Sequence, residues 1–525
     1  MKRNQNIPPS RQSVDGMIGS VKPGRKSRSE FDEPFIRRRQ IPAGPVETTS
    51  RNEYSAKPVG RSKKLSRREK RQAKKAMTKG SARTGRGKKW LKRIFIITII
   101  IVLVGGGYIA FKSYAKLRGV FRGGGSSAVV CGEVDPGQLQ VEGDSRVNIL
   151  LLGVGGEEHA EGTNLSDSMM VMSINPLDNT VALLSLPRDL WVPVDGTYMK
   201  INAAYQQGMF DYQGDNVGKT NDWPVIQAGL KSVDMVVSDA LGVPINFNVL
   251  IDFKAFEEAI DAVGGIDITV PEKLVDYNVA WENGWNPVIA EAGPQHMDSQ
   301  QALLYVRSRY GSDRGDFDRA ERQRAVIVAL QKEVLSAGTL VNPVKVSQLI
   351  DSLGDNIRTD IGGEERTCLL NTARKIDSSK AASIDLYDYV EGDMIRGQSV
   401  QIPKAGTYDY SEIQSYVRNQ LRDSYLAREN AEVLVVNGTN KTGLAIKVAN
   451  ELKSYGYNAT EAGNAQQQTY TTTQIIDVSK ENKPEYTLHY LGRRLGGEHT
   501  KHLPEGIDVG TAKIVIIVGS DASNN

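Results

Sequence analysis

Hydrophobic residues are distributed unevenly along this 525-residue chain. Residues 1–93 are rich in Arg, Lys, Ser, Pro and Gly and show no hydrophobic periodicity, which predicts a disordered segment. Residues 94–111, IFIITIIIVLVGGGYIAF, then carry no charge over 18 positions, close to the minimum for a membrane-spanning helix. A cleavable signal peptide would lie at the extreme N-terminus. We therefore interpret the run as one transmembrane helix.

Basic residues are concentrated just before this apolar run. Residues 61–93 hold sixteen Lys and Arg and one acid, Glu69, although the formal net charge of the whole chain is only +4. Because positive residues stay on the cytoplasmic side, we predict a single-pass cell-membrane protein with a cytoplasmic N-terminus and extracytoplasmic main domains. The basic tail is expected to contact anionic lipid headgroups. Nucleic-acid binding is disfavoured, because no aromatic residue interleaves with the charges before Trp90.

The pattern changes after a predicted extracytoplasmic linker at residues 112–145, whose GGGSS run is typical of a flexible spacer. Apolar runs bounded by turn residues predict strands, and apolar positions at helical spacing predict helices. Strands are expected at residues 146–154, 168–176, 180–187, 247–253 and 266–271, and helices at 225–241, 254–262, 299–305 and 318–335. This alternation predicts an α/β domain, a mixed central sheet flanked by helices, over residues 146–376. Helical patterns continue through residues 343–376.

A second, small α/β domain is predicted at residues 431–521. Its expected elements are strands at 431–439, 458–461, 470–478 and 512–519 and helices at 443–455 and 484–495. Residues 377–430 form a less regular connection between the two domains. Residues 522–525 are a frayed tail.

The chain contains two cysteines, Cys131 and Cys368. They form no CxxC pair, so a zinc ribbon or a thioredoxin-type site is disfavoured. Outside the cytoplasm the two thiols either form one disulfide or remain separate, and their geometry decides between these alternatives.

Arginine is unusually dense in residues 305–327, YVRSRYGSDRGDFDRAERQRAVI. Arg307 and Arg309 point the same way if their segment is extended, and Arg319 and Gln323 share one helical face. Converging guanidinium groups suit phosphate oxygens, because each planar guanidinium can bind two oxygens at once and stays charged. The alternative is a set of surface ion pairs that contribute little to stability.

Charged residues near strand ends add to this picture. Arg188 and Asp189 follow a predicted buried strand, and ligand sites of α/β proteins commonly lie at the ends of strands. Asp167 opens the preceding strand and is well placed to offer oxygens to a hard cation such as Mg²⁺. The sequence has no His and Cys cluster, which disfavours zinc.

Several stretches resemble the LytR–CpsA–Psr family of cell-envelope phosphotransferases. They are NILLLG (148–153), SDSMMVMSINP (166–176), LSLPRD (184–189), KINAAY (200–205), DAVGGIDI (261–268), ALLYVRSR (302–309) and GDFDRAERQ (315–323). Residues 431–521, with NGTNKTGLA and IVIIVGSD, resemble the small C-terminal domain often attached to these proteins. The resemblance implies the same mixed α/β fold.

The resemblance also implies an activity and its residues. Members of the family move a glycopolymer, such as teichoic acid or capsular polysaccharide, from a polyprenyl-pyrophosphate carrier to a peptidoglycan hydroxyl through a phosphodiester. Hydrolysis of the pyrophosphate is an expected side activity. The positions that match are a pyrophosphate clamp of Arg188, Arg307, Arg309 and Arg319 supported by Gln323, a Mg²⁺ (or Mn²⁺) ligand Asp167, an organising acid Asp316, and Asp189 and Lys200 within matching stretches.

One departure from the family concerns the metal. The family usually has LLGxD, with the Asp as second metal ligand, whereas Gly155 stands there in LLGVGGEEHAEG. The usual Arg before the Ser-Asp pair is also missing. Glu157 is the expected replacement ligand, with Glu158 and Glu161 as alternatives. The other interpretations are weakened metal binding or a protein that binds without turnover.

The expected mechanism is phosphoryl transfer by positioning and charge neutralisation. A carboxylate, either Asp189 or one of the Glu157, Glu158 and Glu161 group, is expected to take the proton of the acceptor hydroxyl. The polyprenyl tail requires an apolar channel beside the arginines. The alternative function is that of a non-catalytic, membrane-anchored protein that binds lipid-linked glycan or cell wall. The absence of the usual Asp at Gly155 is the best support for this alternative.

Overall fold

The computed structural model describes residues 120–155, 164–214, 222–336, 356–377 and 380–523. The predicted basic tail, the predicted span at residues 94–111, and Glu157, Glu158 and Glu161 lie outside these ranges. Within the described ranges, none of the helices combines the length and the apolar character that a membrane crossing requires.

The described strands share the extended, partly buried character that their β-branched and Leu-rich sequences predict. In chain order they are β1 (Val147–Val154), β2 (Ser166–Asn175), β3 (Thr180–Ser185), β4 (Trp191–Val194), β5 (Thr197–Lys200), β6 (Phe247–Asp252), β7 (Ile266–Val270), β8 (Leu274–Val275), β9 (Val288–Ala290), β10 (Gly293–Met297), β11 (Ile357–Thr359), β12 (Ala382–Ile384), β13 (Val390–Ile395), β14 (Gln398–Pro403), β15 (Glu432–Asn437), β16 (Asn458–Asn464), β17 (Gln474–Asp477), β18 (Glu498–Thr500) and β19 (Ile514–Val518).

The described helices are α1 (Ala204–Gln213), α2 (Trp223–Leu241), α3 (Phe253–Val263), α4 (Ser299–Arg307), α5 (Asp316–Ser336), α6 (Gly363–Ala373), α7 (Ser411–Gln420), α8 (Ser424–Glu429), α9 (Leu444–Ser454) and α10 (Glu485–Leu495). The caps follow ordinary rules. Asp252 and Asp298 accept backbone N–H groups at the starts of α3 and α4, as N-cap carboxylates do. The predicted helices at 225–241, 254–262, 299–305 and 318–335 are therefore confirmed, with ends shifted by one or two residues.

A six-stranded sheet in the order β11-β6-β1-β2-β3-β12 forms the centre of the main domain. Its β1–β6 and β3–β12 pairs are parallel, and its other pairs are antiparallel, which confirms the predicted mixed sheet. Successive side chains of β1 alternate between two apolar layers, because side chains in a strand point to opposite faces. Leu150 and Leu152 pack with α1 and α2 on one face, whereas Val147 and Ile149 pack on the other.

Two predictions about the edges of this domain are wrong. Residues 357–359, within the predicted helical run, form edge strand β11, which pairs with β6. Residues 382–384, within the predicted connection, form the opposite edge strand β12. These strands are three residues long, too short to carry a periodicity, and their pairing is decided by the sheet beside them.

The predicted linker is also wrong for its described part. Phe121 bridges to Thr359 of β11, and Gly125 donates its N–H to the carbonyl of Asp360. Val129, Val130 and Leu139 are buried in the main core, because apolar side chains gain free energy on leaving water. Cys131 and Cys368 form a disulfide between this segment and α6, which decides the alternative that the sequence left open.

The C-terminal domain is α/β, as predicted, with a five-stranded sheet in the order β16-β15-β19-β17-β18. Its core merges with that of the main domain, because Leu139 and Val147 belong to the same apolar cluster as Val433 and Leu452. At this contact Glu142 accepts a hydrogen bond from Arg494 at 2.7 Å. The predicted strand at 470–478 is shorter than expected and forms only at β17.

Candidate functional site

The carboxyl end of β1 lies against β2 without a side chain in between. Gly153 pairs with Ser168, and a Cβ at Gly153 would lie only 2.9 Å from the Ser168 Cβ. The Ser168 hydroxyl donates to Gln323 Oε1 at 2.9 Å, and Gln323 Nε2 donates to the carbonyl of Val306 at 3.2 Å. Gln323 thus ties β2, α5 and the end of α4 together and brings the two arginine-bearing segments to one strand.

Arg319, on the first turn of α5, is buried beneath this junction. Its Nη2 donates to the backbone carbonyl of Asp167 at 2.9 Å and lies 3.4 Å from Asp316 Oδ1. Burial, together with the charges of Arg188 and Arg309 and against the attraction of Asp316, lowers the pKa of Arg319 to about 10. The guanidinium stays protonated at neutral pH, and its repulsion by Arg188 and Arg309 means that the three cations lie close together.

Arg188 follows the end of β3 and meets the same carboxylates. Its Nη1 donates to Asp167 Oδ1 at 2.7 Å, and its Nε lies 3.4 Å from Asp316 Oδ2. Burial lowers the pKa of Arg188, but the charge and hydrogen bond of Asp167, with the charges of Asp316 and Asp189, outweigh burial and raise it. Two distant stretches of sequence therefore meet at one cluster of charges.

Arg307 is held from two sides at the end of α4. Its Nη1 donates to Glu282 Oε2 at 2.6 Å, and its guanidinium lies 4.9 Å from the centre of the Phe253 ring. An ion pair and a cation–π contact on one side chain restrict its rotamers. Arg307 is therefore presented in a fixed orientation.

Arg309 is positioned through its backbone by a buried carboxylate, Asp276. Asp276 Oδ2 accepts the Ser308 hydroxyl at 2.7 Å and the N–H groups of Arg309 and Tyr310 at 3.3 and 3.4 Å. Burial raises the pKa of Asp276, but the hydrogen bonds from Ser308 and from the backbone outweigh burial and lower it. The Arg309 guanidinium itself forms no ion pair with any other described residue.

These side chains line two adjoining cavities. The larger one has a volume of about 250 Å³, is open to solvent on one side, and is lined by Asp167, Arg307, Arg309, Arg319 and Gln323 among others. The smaller one has a volume of only about 10 Å³, room for about one water molecule, and is lined by Arg188, Asp316 and the apolar side chains of Met169, Leu186 and Phe317. Asp167, Ser168, Arg319 and Gln323 line both. The predicted clamp residues thus converge, and the smaller cavity borders the apolar layer that holds Met169 and Leu186.

Asp189 and Lys200 contact each other instead. Lys200 Nζ donates to Asp189 Oδ1 at 2.7 Å, and neither residue lines the two cavities. Asp189 is therefore disfavoured as the acceptor of the hydroxyl proton, because a proton acceptor must lie within hydrogen-bond reach of the substrate. The other candidate acceptors, Glu157, Glu158 and Glu161, lie outside the described residues.

The carboxylates of the cleft decide whether a divalent cation fits there. Three-membered clusters of His, Cys, Asp or Glu are absent from the described residues, and Gly155, which lines the cleft, has no side chain to offer. However, the buried Oδ1 of Asp316 accepts no hydrogen bond, and Asp167 uses only Oδ1 in the described contacts. Mg²⁺ is often held by one or two carboxylates plus substrate phosphates. The two residues fit such an ion.

The sequence did not predict three residues that hold the arginines: Asp276, Glu282 and Phe253. Each acts on an arginine between 25 and 54 positions away, so no local spacing connects them. The motif LVDYN around Asp276 contains no pattern that marks a buried carboxylate. Arg322, which belongs to the arginine-rich run, donates to the carbonyls of Tyr305 and Ser308 at the end of α4 and so satisfies helix-end acceptors.

Comparisons with known proteins agree on one family. A model of the LytR_cpsA_psr family matches residues 126–415, and a model described as LytR cell envelope-related transcriptional attenuator matches residues 430–521. The cell wall biosynthesis protein LcpA of Corynebacterium glutamicum is 26% identical over 438 residues, which cover 74% of this chain and 79% of LcpA. The polyisoprenyl-teichoic acid–peptidoglycan teichoic acid transferase TagV of Bacillus subtilis is 28% identical over 311 residues, 57% of this chain and 73% of TagV. The crystal structure of Bacillus subtilis TagV aligns with this chain over 53% of this chain and 97% of the TagV chain, at 25% identity and a TM-score of 0.40.

Proposed function

The chain belongs to the LytR–CpsA–Psr family, and we propose that it transfers a glycopolymer phosphate from a polyprenyl-pyrophosphate carrier to peptidoglycan, forming a phosphodiester in cell-wall assembly. One relative is named for the transfer of teichoic acid to peptidoglycan and another for cell wall biosynthesis. The observation that carries the proposal is the meeting of Arg188, Arg307, Arg309 and Arg319 at adjoining cavities. Guanidinium groups in this arrangement suit a diphosphate.

The charge balance of the cleft supports a role for a divalent cation. The four arginines are accompanied by four carboxylates, Asp167, Asp276, Asp316 and Glu282. The negative charge of a bound diphosphate would therefore be fully neutralised only if further positive charge were bound with it. We propose Mg²⁺ (or Mn²⁺) held by Asp167 and Asp316, where it would neutralise charge on phosphate oxygens.

The chain's own residues would bind and orient the diphosphate. Arg309, whose guanidinium has no described partner, would take phosphate oxygens directly, while Arg307 is already oriented by Glu282 and Phe253. In the transfer, the acceptor oxygen bonds to the phosphorus that bears the glycan, the bond to the bridging oxygen breaks, and the prenyl phosphate leaves. The hydroxyl proton passes to a carboxylate. The apolar side chains of Leu186 and Phe317 lie beside Arg188, but the cavity there has room for about one water molecule, so the prenyl tail would enter on this side only if these side chains moved apart.

The test uses the full chain purified in detergent, with a polyprenyl pyrophosphate and Mg²⁺. Release of the prenyl phosphate is expected, and Arg309→Ala and Arg188→Ala should each reduce it about 100-fold, as removal of a charge-stabilising donor does. Arg314→Ala is the matched control, because Arg314 lies in the same stretch but pairs with Asp318 and Glu321. Equal loss in all three variants, or none, would contradict the proposal.

A second candidate function is favoured by Gly155, which removes a family carboxylate from the cleft. In this case the protein would bind lipid-linked glycan or cell wall without turnover. Tight binding of the polyprenyl pyrophosphate without release of prenyl phosphate, at any Mg²⁺ concentration, would select this alternative.

We also propose that the chain is a single-pass cell-membrane protein with its folded domains outside the cytoplasm and its basic tail near anionic headgroups. The Cys131–Cys368 disulfide supports this placement, since disulfides persist mainly in oxidising compartments. Protease added to intact cells should degrade the folded domains and spare the N-terminal tail. The reverse pattern would contradict the orientation.

A further inference from the structure

Three large aromatic side chains stand in solvent at the rim of the arginine cleft. Tyr277 is 78% exposed, Trp281 is 63% exposed and Trp285 is 81% exposed. They lie within nine residues, 277–285, which we call the aromatic loop. Scattered single apolar residues on a surface need no explanation, but a cluster of exposed aromatic rings marks an interaction site.

The backbone of the aromatic loop holds the two tryptophans outward. A 3-10 turn at Ala280–Asn283 leads into Gly284 and then Trp285, which has a φ of 66°. Trp285 donates its N–H to the carbonyl of Ala280 at 2.7 Å. A bulky residue in the left-handed region persists only where its surroundings impose it, and such positions cluster at functional sites.

The aromatic loop is attached directly to the cleft. Asn278 and Val279 line the larger cavity, and Glu282, the neighbour of Trp281, accepts the hydrogen bond of Arg307. Consecutive Cα atoms are about 3.8 Å apart, so Trp281 begins one residue from an arginine contact. Asn278, Val279 and Glu282 thus connect the aromatic loop to the cleft.

The chemistry of the aromatic loop favours a neutral sugar over a lipid surface. Residues 277–285, the aromatic loop itself, contain Glu282 but no Lys or Arg, whereas segments that lie on anionic bilayers are rich in Lys and Arg. The amide of Asn278, which lines the larger cavity, accompanies the rings, whereas Asn283 Nδ2 and Asn286 Oδ1 already form hydrogen bonds within the segment. Amides donate and accept at once, as sugar hydroxyls do, and the apolar face of a pyranose ring packs on an aromatic ring.

We propose that the aromatic loop is the subsite for the acceptor glycan, with pyranose rings of a peptidoglycan strand stacked on Trp281 and Trp285. This assignment rests on the proposed transferase function. It places the acceptor glycan beyond Arg307, outside the cleft in which the four arginines hold the pyrophosphate.

The experiment uses the full chain in detergent, a polyprenyl-pyrophosphate-linked oligosaccharide as donor, and soluble uncrosslinked strands of alternating N-acetylated hexosamines as acceptor. Trp281→Ala and Trp285→Asn, in which Asn tolerates the left-handed backbone, should each raise the acceptor KM about 10-fold, the effect of removing an aromatic anchor. The donor KM, kcat and release of prenyl phosphate without acceptor should stay unchanged. Trp281→Tyr should restore most of the acceptor affinity. Tyr212→Ala is the control, because Tyr212 is 61% exposed on α1 and lines a different cavity.

The outcomes separate the two proposals. If the wild-type chain transfers glycan and both tryptophan variants keep its acceptor KM, the subsite is overturned and the transferase stands. If the wild-type chain releases no prenyl phosphate, the transferase proposal fails. The subsite is then judged by fluorescence: hexosamine strands should change the tryptophan fluorescence of the wild-type chain but not that of the Trp281→Ala/Trp285→Asn double variant. Quenching of the reconstituted chain by brominated lipids that disappears in Trp281→Phe/Trp285→Phe would assign the loop to the bilayer and overturn the subsite.

Discussion

Asp276 offers a sharp test of how the cleft is built, because it touches no arginine side chain yet holds the backbone of Arg309. It is 1% exposed. Its Oδ2 accepts the Ser308 hydroxyl and two backbone N–H groups, and its Oδ1 accepts the N–H of Asn278 at 2.9 Å. We predict that Asp276→Asn lowers the release of prenyl phosphate without unfolding the chain.

The magnitude follows from the number of acceptors. Asparagine offers one oxygen, so its amide nitrogen must face either the Asn278 N–H or the three donors of the Ser308–Tyr310 segment. The better orientation keeps those three and loses the bond to Asn278 together with the negative charge. Losing a charge-assisted bond at a buried site costs about 1.5–3 kcal/mol, equivalent to roughly 10- to 150-fold in rate if the whole loss reaches the transition state.

The assay is kcat/KM for release of prenyl phosphate by the full chain, with thermal unfolding as a check on the fold. Asp267→Asn is the control, because Asp267 lies nearby on β7 but is exposed and pairs with His296. The pKa of Asp276 is lowered by its hydrogen bonds, so its contribution to stability is present above the ordinary Asp pKa of about 3.9 and is lost as the pH falls through the lower folded value. The defect should therefore be constant around neutral pH. Wild-type activity in Asp276→Asn would refute the positioning of Arg309 through Asp276.

Two further predictions concern stability. Cys131→Ser/Cys368→Ser should lower the free energy of unfolding by about 2–5 kcal/mol, because the disulfide closes a long loop between cysteines that are 237 positions apart; a thermal midpoint identical to that of the oxidised wild type would contradict this. Burial and the charge of Asp360 outweigh the Asn248 hydrogen bond and raise the pKa of Asp234 to about 7. The folded state therefore binds more protons than the unfolded state between about pH 4 and pH 7. As a result, the free energy of unfolding falls as the pH rises through that window. Asp234→Asn should flatten this decline in urea unfolding at about pH 5 and about pH 8, and an unchanged slope would refute the link.

Long periodic segments were predictable because their burial is recorded in their own residues. Helices α2 and α5 and strands β1 and β2 lie within two residues of their predicted positions, since each buries an apolar face that a local pattern reveals. The edge strands β11 and β12 and the packed segment at residues 120–145 were not predictable. Three-residue strands and a Gly-rich run carry no such pattern, and the neighbouring sheet decides their conformation.

The same division holds for the cleft. Residue type and family resemblance by themselves pointed to Arg188, Arg307, Arg309, Arg319, Gln323 and Asp167, because a diphosphate requires fixed positive charge and the segments carrying it are recognisable in the sequence. Only the tertiary structure decided that Asp189 pairs with Lys200 and lines neither cavity, that Asp276 and Glu282 hold two of the arginines, and that the tryptophan next to Glu282 is exposed. Hydrogen bonds and ion pairs act over about 3 Å between residues far apart in the chain, and sequence spacing contains no record of such distances.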